Sequence, residues 1–207
     1  MPANTATAPV TTPATSSGTK LAPALFSLPL RDNARLAPLE VCHAEEFAAH
    51  MDRARDHIRP WVGAGFVTDG VEAARALLHR YAERQAGDGA RLFGIWLDGT
   101  LVGGVMFTDF NAALGQCELG CWTEPLGEGH GLVTQSCRVL LDWAVSGRGL
   151  HRVEWHCRAD NGRSIAVAER LGMTLEGVRR EAWPFDGRRF DKQLWAVLAS
   201  EHKPESP

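Results

Sequence analysis

Between Pro125 and Leu132 the chain reads Pro-Leu-Gly-Glu-Gly-His-Gly-Leu, with Gly127, Gly129 and Gly131 at alternate positions just ahead of an apolar-periodic stretch. Glycine lets the backbone approach a ligand and take strained angles, and the first amides of a helix, at the positive end of its dipole, attract phosphate. The segment therefore predicts an anion cradle; a flexible turn is the alternative with the same composition. Two nucleotide-binding readings fail on spacing. A Walker loop closes in Gly-Lys-Ser/Thr where this one closes Gly131-Leu132-Val133, and a dinucleotide fingerprint begun at Gly129 needs glycine where Thr134 stands. Cys117 and Cys121 fall on one face of a strand, but no Cys or His pair elsewhere completes a zinc pattern, so buried thiols and no metal are expected.

The elements that must position this loop follow from periodicity. A strand is predicted over Arg35 to Glu40, then a helix over His43 to Val62 carrying Phe47, Met51, Ala54 and Ile58 on one face, with Pro60 ending or breaking it. A second helix fits Val71 to Arg84. Phe93 to Leu97 and Leu101 to Phe107 flank Asp98-Gly99, a type I′ hairpin signal. Strand Gln116 to Thr123, helix Gly131 to Ser146 and strand Arg152 to Cys157 have the length of a crossover, which makes those two strands parallel. A short helix over Ser164 to Leu171 precedes two strands, Thr174 to Arg180 and Asp191 to Ala199, around Asp186-Gly187. The expected fold is α/β of the α+β kind: a mostly antiparallel mixed sheet, one central parallel pair and flanking helices.

The glycine loop sits where the first strand of that crossover ends and its helix begins. The chain's 207 residues, 44% of them apolar, suffice for one core, and a net charge of -3 provides no basic field for nucleic acid. No stretch approaches the ~18 apolar residues of a membrane span. Residues 1–24, rich in Ala, Thr, Pro and Ser, are expected to form a disordered tail, and 25–207 a single domain. Five cysteines, an odd set in a chain with a core, fit a reduced, cytoplasmic setting.

At Glu118-Leu-Gly-Cys-Trp122, Gly129-His-Gly131, Asp160-Asn161-Gly-Arg-Ser164, Leu171-Gly172-Met173 and Leu175-Glu176-Gly177, in that order and spacing, the sequence resembles the GNAT superfamily of N-acetyltransferases, in its RimJ/RimL-like branch. The resemblance is dense from Glu118 to Ala199 and looser from Leu36 to Phe110. It departs at Leu126, where the family has Gln or Arg, at Cys121, which replaces an aromatic, and at Met173, which replaces Phe.

The resemblance implies acetyl-CoA, or another acyl-CoA, as co-substrate and a primary amine as acceptor: a protein N-terminus or a small molecule. Backbone groups of Cys121, Trp122 and Thr123 would pair with the pantetheine arm, and Leu126, Gly127, Glu128, Gly129, His130, Gly131 and Leu132 would hold the pyrophosphate. Asn161 would hydrogen-bond the arm, and Ser164 would serve as donor near the sulfur. Glu118 is the implied base, with an ordinary salt-bridging carboxylate as its plain alternative and Glu181 as second candidate. Tyr81, the only tyrosine, lies far upstream of the helix that supplies the acid in many relatives, so that role falls elsewhere or to water. His130 is expected to face solvent, and His151 and His156 to be structural. Trp61 and Trp183, each beside a proline, are candidates for the acceptor groove. Two other functions stay open: a non-catalytic CoA-binding regulatory protein, and an acyltransferase whose donor rides on a carrier protein. No nucleic acid or membrane partner is expected, and a homodimer is allowed.

Overall fold

The computed structural model describes residues 26–63 and 65–203, so the expected tail lies outside the described residues. The first half runs β1 (Leu28–Pro29), β2 (Ala34–Pro38), α1 (Ala44–Ile58), α2 (Gly70–Ala86), β3 (Arg91–Leu97) and β4 (Thr100–Asn111). The second runs β5 (Gln116–Thr123), α3 (Leu132–Asp142), β6 (Arg152–Arg158), α4 (Gly162–Arg170), β7 (Thr174–Phe185) and β8 (Arg188–Leu198). The strands form one sheet in the order β1-β2-β3-β4-β5-β6-β8-β7, antiparallel throughout except for β5 and β6.

Both Asp-Gly pairs close hairpins. Asp98 and Gly99 have φ of 49° and 84°, and Asp186 and Gly187 of 48° and 69°, the positive angles a type I′ turn needs. Helix α1 stops at Ile58 rather than Val62: Arg59 still has helical angles and bonds back to Arg55, and Pro60, which has no N–H to donate, ends the ladder there. The helix expected over Gly131 to Ser146 is α-helical only to Asp142 and passes into a wider π turn over Trp143–Gly147. β7 runs past Arg180 to Phe185 because its pairing with β8 resumes at Trp183 after an irregularity that holds Glu181 at φ 53°. The two-residue β1 is too short to leave a periodic signal.

Side chains alternate across the sheet to two cores. On one face Ile95, Phe107, Leu119, Val153 and Trp155 pack beneath Leu132, Cys137, Leu140 and Leu141 of α3 and Ala168 of α4. On the other, Leu92, Trp96, Met106 and Trp122 meet Phe47, Met51 and Ile58 of α1 and Leu77 and Leu78 of α2. Gly104, opposite Trp122 in the β4–β5 register, makes room for that indole: a Cβ there would lie 2.2 Å from the ring.

The second core encloses a histidine. His50 of α1 is fully buried and its Nε2 accepts from Trp122 Nε1 at 2.9 Å. Its Nδ1 lies 3.6 Å from Glu124, too long for a good hydrogen bond. Burial pushes the imidazole down to about 4, with the Arg53 charge adding to the depression against the pull of Glu124. The folded state therefore keeps His50 neutral where the unfolded chain protonates it, so stability is lost as pH falls from about 6.5 to about 4. The melting temperature should drop across that window, and His50→Gln, which retains an acceptor for Trp122 but does not titrate, should show a shallower drop in a pH series of thermal melts.

Candidate active site

The two parallel strands stay paired for only half their length. Gln116 to Leu119 of β5 lie against Arg152 to Trp155 of β6, and there the ladder ends. β5 nevertheless continues to Thr123 against β4, and β6 to Arg158 against β8. Beyond Leu119 the β6-facing amides and carbonyls of the 120–123 segment have no sheet partner, and unpaired backbone groups of this kind call for another strand, a ligand or water. A cleft of about 1020 Å³ opens here, lined by Gly120, Cys121, Trp122 and Thr123 on one side and by Trp155, His156, Asn161 and Ser164 on the other.

The glycine loop closes one end. Pro125–Gly127 forms a short 3-10 turn, and Gly131, at φ 70°, caps α3. Gly129 has φ 82° and nothing within 4 Å of where a Cβ would stand, so its backbone faces open space. Gly127 is the packed member: a Cβ there would come within 2.7 Å of Thr123 Oγ1 and 3.0 Å of Val102. The loop is moored by Glu124, which is 3% exposed. Its amide donates to Val102 O at 2.9 Å and its carbonyl accepts from Gly127 N at 3.0 Å. Its carboxylate receives Arg53 Nε at 3.2 Å and Nη2 at 3.0 Å, and the same guanidinium donates to Leu101 O at 2.9 Å.

Three residues of the expected cradle keep their side chains out of the cleft. Leu126 is exposed, Leu132 is buried in the core beneath α3, and His130 contacts Asp32 through Nδ1 at 3.0 Å on the surface, so none of the three lines the cleft. Any part they take in binding is through the backbone. Glu128 does line it, held by Arg163 and by His57 Nε2 at 2.8 Å.

At the other end stands Glu118. Its Oε2 lies 3.0 Å from His156 Nδ1, and His156 Nε2 lies 3.3 Å from Glu154. These are close ion-pair distances, although the angles at both imidazole nitrogens fall short of hydrogen-bond geometry. Burial would raise the Glu118 carboxyl, but His156, Lys192 and Thr108 together outweigh it and hold the group below its ordinary value. The β4–β5 irregularity between Phe107 and Asp109 falls opposite this residue and brings Thr108 into the cleft lining.

Ser164 and Asn161 lie at the start of α4. Asn161 Oδ1 caps the helix by accepting from Ser164 N at 3.1 Å, which leaves its amide N–H groups as donors. Ser164 Oγ accepts from Trp155 Nε1 at 3.0 Å, which fixes the oxygen and leaves its proton to be donated.

Three sequence expectations change. His156, expected to be structural, lines the cleft between two carboxylates; the parallel pairing was predictable, but the register that sets Glu118 opposite Glu154 and brings His156 alongside was not. Tyr81 is far from the site only in sequence: it lines the cleft, its hydroxyl donates to Met106 Sδ at 3.2 Å, and burial raises its phenol so that it stays protonated. Glu181, the second candidate base, is exposed and outside the cleft. Trp61 and Trp183 both line it. Cys121 does too, whereas Cys117, Cys137 and Cys157 are buried and all five thiols are free. No cluster of metal-ligating side chains occurs among the described residues, and no helix there is long and apolar enough to cross a membrane.

Because Arg53 is half exposed and Glu124 buried, removing the cation strands the carboxylate. Arg53→Met should lower the melting temperature by several degrees, and adding Glu124→Gln should recover part of that loss; a double variant no more stable than the single one would show that the ion pair does not moor the loop.

Residues 33–174 match the acetyltransferase (GNAT) domain family. A probable N-acetyltransferase of Bacillus subtilis, YjcK, is 30% identical over 78% of this chain and 91% of its own length. YdaF of the same organism, a putative ribosomal N-acetyltransferase, is 25% identical over 87% of this chain and its full length, 100%. In fold, the chain superposes on RimL, a ribosomal L7/L12 alpha-N-protein acetyltransferase in complex with coenzyme A, with a TM-score of 0.76 at 21% identity, covering 83% of this chain and 97% of that one. The chain belongs to the GNAT acetyltransferase family.

Proposed function

Because the chain is a GNAT-family acetyltransferase, we propose that it moves an acetyl group from acetyl-CoA to a primary amine, with the donor laid along the gap between β5 and β6. The observation that carries this reading is the ladder that ends at Leu119 and Trp155 while both strands continue. The pantetheine arm, whose amides alternate donor and acceptor, adds to the 120–123 segment as an extra strand would. Its pyrophosphate then meets the amides from Gly129 to Val133 and the positive end of α3. The names of a relative and of a structural neighbour support a protein N-terminus as the acceptor, YdaF being a putative ribosomal N-acetyltransferase and RimL a ribosomal L7/L12 alpha-N-protein acetyltransferase. The domain is taken to span residues 25–207 and to act in the cytoplasm.

Transfer needs a neutral amine, stabilisation of the developing oxyanion and a proton for the departing thiolate. The Glu118–His156 pair is assigned the first task. An ionised Glu118 attracts the incoming ammonium, accepts its proton directly or through water, and steadies any positive charge on His156 beside it. Ser164, its oxygen held by Trp155, is assigned the donation to sulfur, with the protonated Tyr81 phenol as a second hydroxyl in the cleft.

Two experiments test the two halves. Gly129→Val places a branched side chain at positive φ in the space reserved for phosphate, so calorimetry should show CoA affinity falling at least tenfold with the fold retained; unchanged affinity would remove the loop from the binding site. Glu118→Gln should cut turnover by about a hundredfold or more with CoA affinity nearly intact. Since the folded carboxyl is held low, the wild-type acid limb assigned to Glu118 should lie below the ordinary carboxylate range and vanish in the variant. Normal turnover of Glu118→Gln near neutral pH would refute the assignment.

A further inference from the structure

The cleft has a second charged zone, remote from the glycine loop. Arg80 and Arg84 of α2 and Lys192 of β8 line it around Tyr81 and Glu118. The charges of Arg84, Arg80 and Glu118 all reach the Tyr81 phenol, and that of Lys192 reaches Glu118. From Glu118 to Thr123 an extended strand covers about 16 Å, so this zone is too far from the loop to serve the same pyrophosphate.

These cations are also uncommitted. Arg75 on the same helix faces Glu72 at 3.8 Å and Arg158 on the neighbouring strand binds Asp160, whereas none of the three makes an ion pair among the described residues. Lys192 instead stands 6.0 Å from the Trp183 ring centroid. The carboxylates lining the cleft are Glu118 and Glu128, and Glu128 is taken by Arg163 and His57. In a chain of net charge -3, an unpaired basic rim beside the reacting end is a local arrangement and does not follow from composition.

We propose that the acceptor is an amino-terminal peptide segment bearing carboxylates at alternate positions after its first residue, read by Arg80, Arg84 and Lys192; this rests on the acyl-transfer reading of the cleft. The spacing favours a peptide. Arg80 and Arg84, one helical turn apart, stand about 6 Å from each other, which is the separation of same-side residues in an extended chain. Trp61 and Trp183 give such a chain apolar walls. Exposed cations act mainly on encounter and ground-state binding, so the preference belongs in KM and fades with salt.

The test compares acetylation of Ser-Glu-Ala-Glu-Ala-Tyr, Ser-Gln-Ala-Gln-Ala-Tyr, Ser-Lys-Ala-Lys-Ala-Tyr and free phosphoethanolamine by the full-length protein. The glutamate peptide should exceed the glutamine peptide in kcat/KM by about tenfold at low ionic strength, mostly through KM, and the gap should close at high salt. The Arg80→Gln/Arg84→Gln variant should lose most of that preference while binding CoA as before. Equal rates for the glutamate and glutamine peptides, a preference that survives in the variant, or phosphoethanolamine as the best acceptor would overturn the proposal. Acetylation of no amine at all, with CoA still bound, would overturn the acyl-transfer reading beneath it.

Discussion

Parting two parallel strands midway through a sheet exposes backbone groups that a continuous sheet would pair, and everything else around the cleft depends on keeping them parted. β5 and β6 can diverge because each keeps an antiparallel partner on its outer side, β4 for one and β8 for the other, so the ladders outside the gap stay intact. What is given up is the β6-facing hydrogen bonding of Gly120 to Thr123. Leaving such groups unmet costs on the order of 1–3 kcal/mol each when dry. An open cleft lets water bear that cost, and a ligand with a strand-like backbone can then replace the water.

The loop at the end of β5 needs rigidity for the same reason. A cradle of amides binds phosphate only if its backbone is already arranged, and glycine by itself supplies freedom rather than order. Order comes from Glu124, whose main chain joins β4 to the loop and whose carboxylate is held by Arg53. A second buried polar contact from α1, His50 to Trp122, lies beside it. The helix packed on one face of the sheet is thereby tied to the loop from which α3 departs toward the other face.

Much of this was legible in the sequence. The Asp-Gly hairpins, the parallel pair and the glycine loop each carry a local signal, because positive backbone angles and crossover length restrict residue type and spacing. Glu118, Ser164 and Asn161 entered by resemblance, and the structure brings all three to one cleft. His156 and Tyr81 were missed because their places depend on register and on helix packing, which no short window of sequence encodes. Of the loop residues, Leu132 turns into the core beneath α3 while Leu126 and His130 turn to the surface: a residue in such a loop need not point its side chain into the cleft. The end of α3 was misjudged for a similar reason, since the widening into a π turn leaves the apolar period nearly unchanged.

In the proposed reaction the gap between β5 and β6 is the seat of the donor. Amide hydrogen exchange with and without CoA measures this directly, residue by residue. Binding should slow exchange at the amides of the 120–123 segment together with those from Gly129 to Val133, leaving the ladder from Gln116 to Leu119 as it was. Protection confined to the loop, with the 120–123 amides exchanging as fast as in the free protein, would contradict the account and place the pantetheine arm elsewhere.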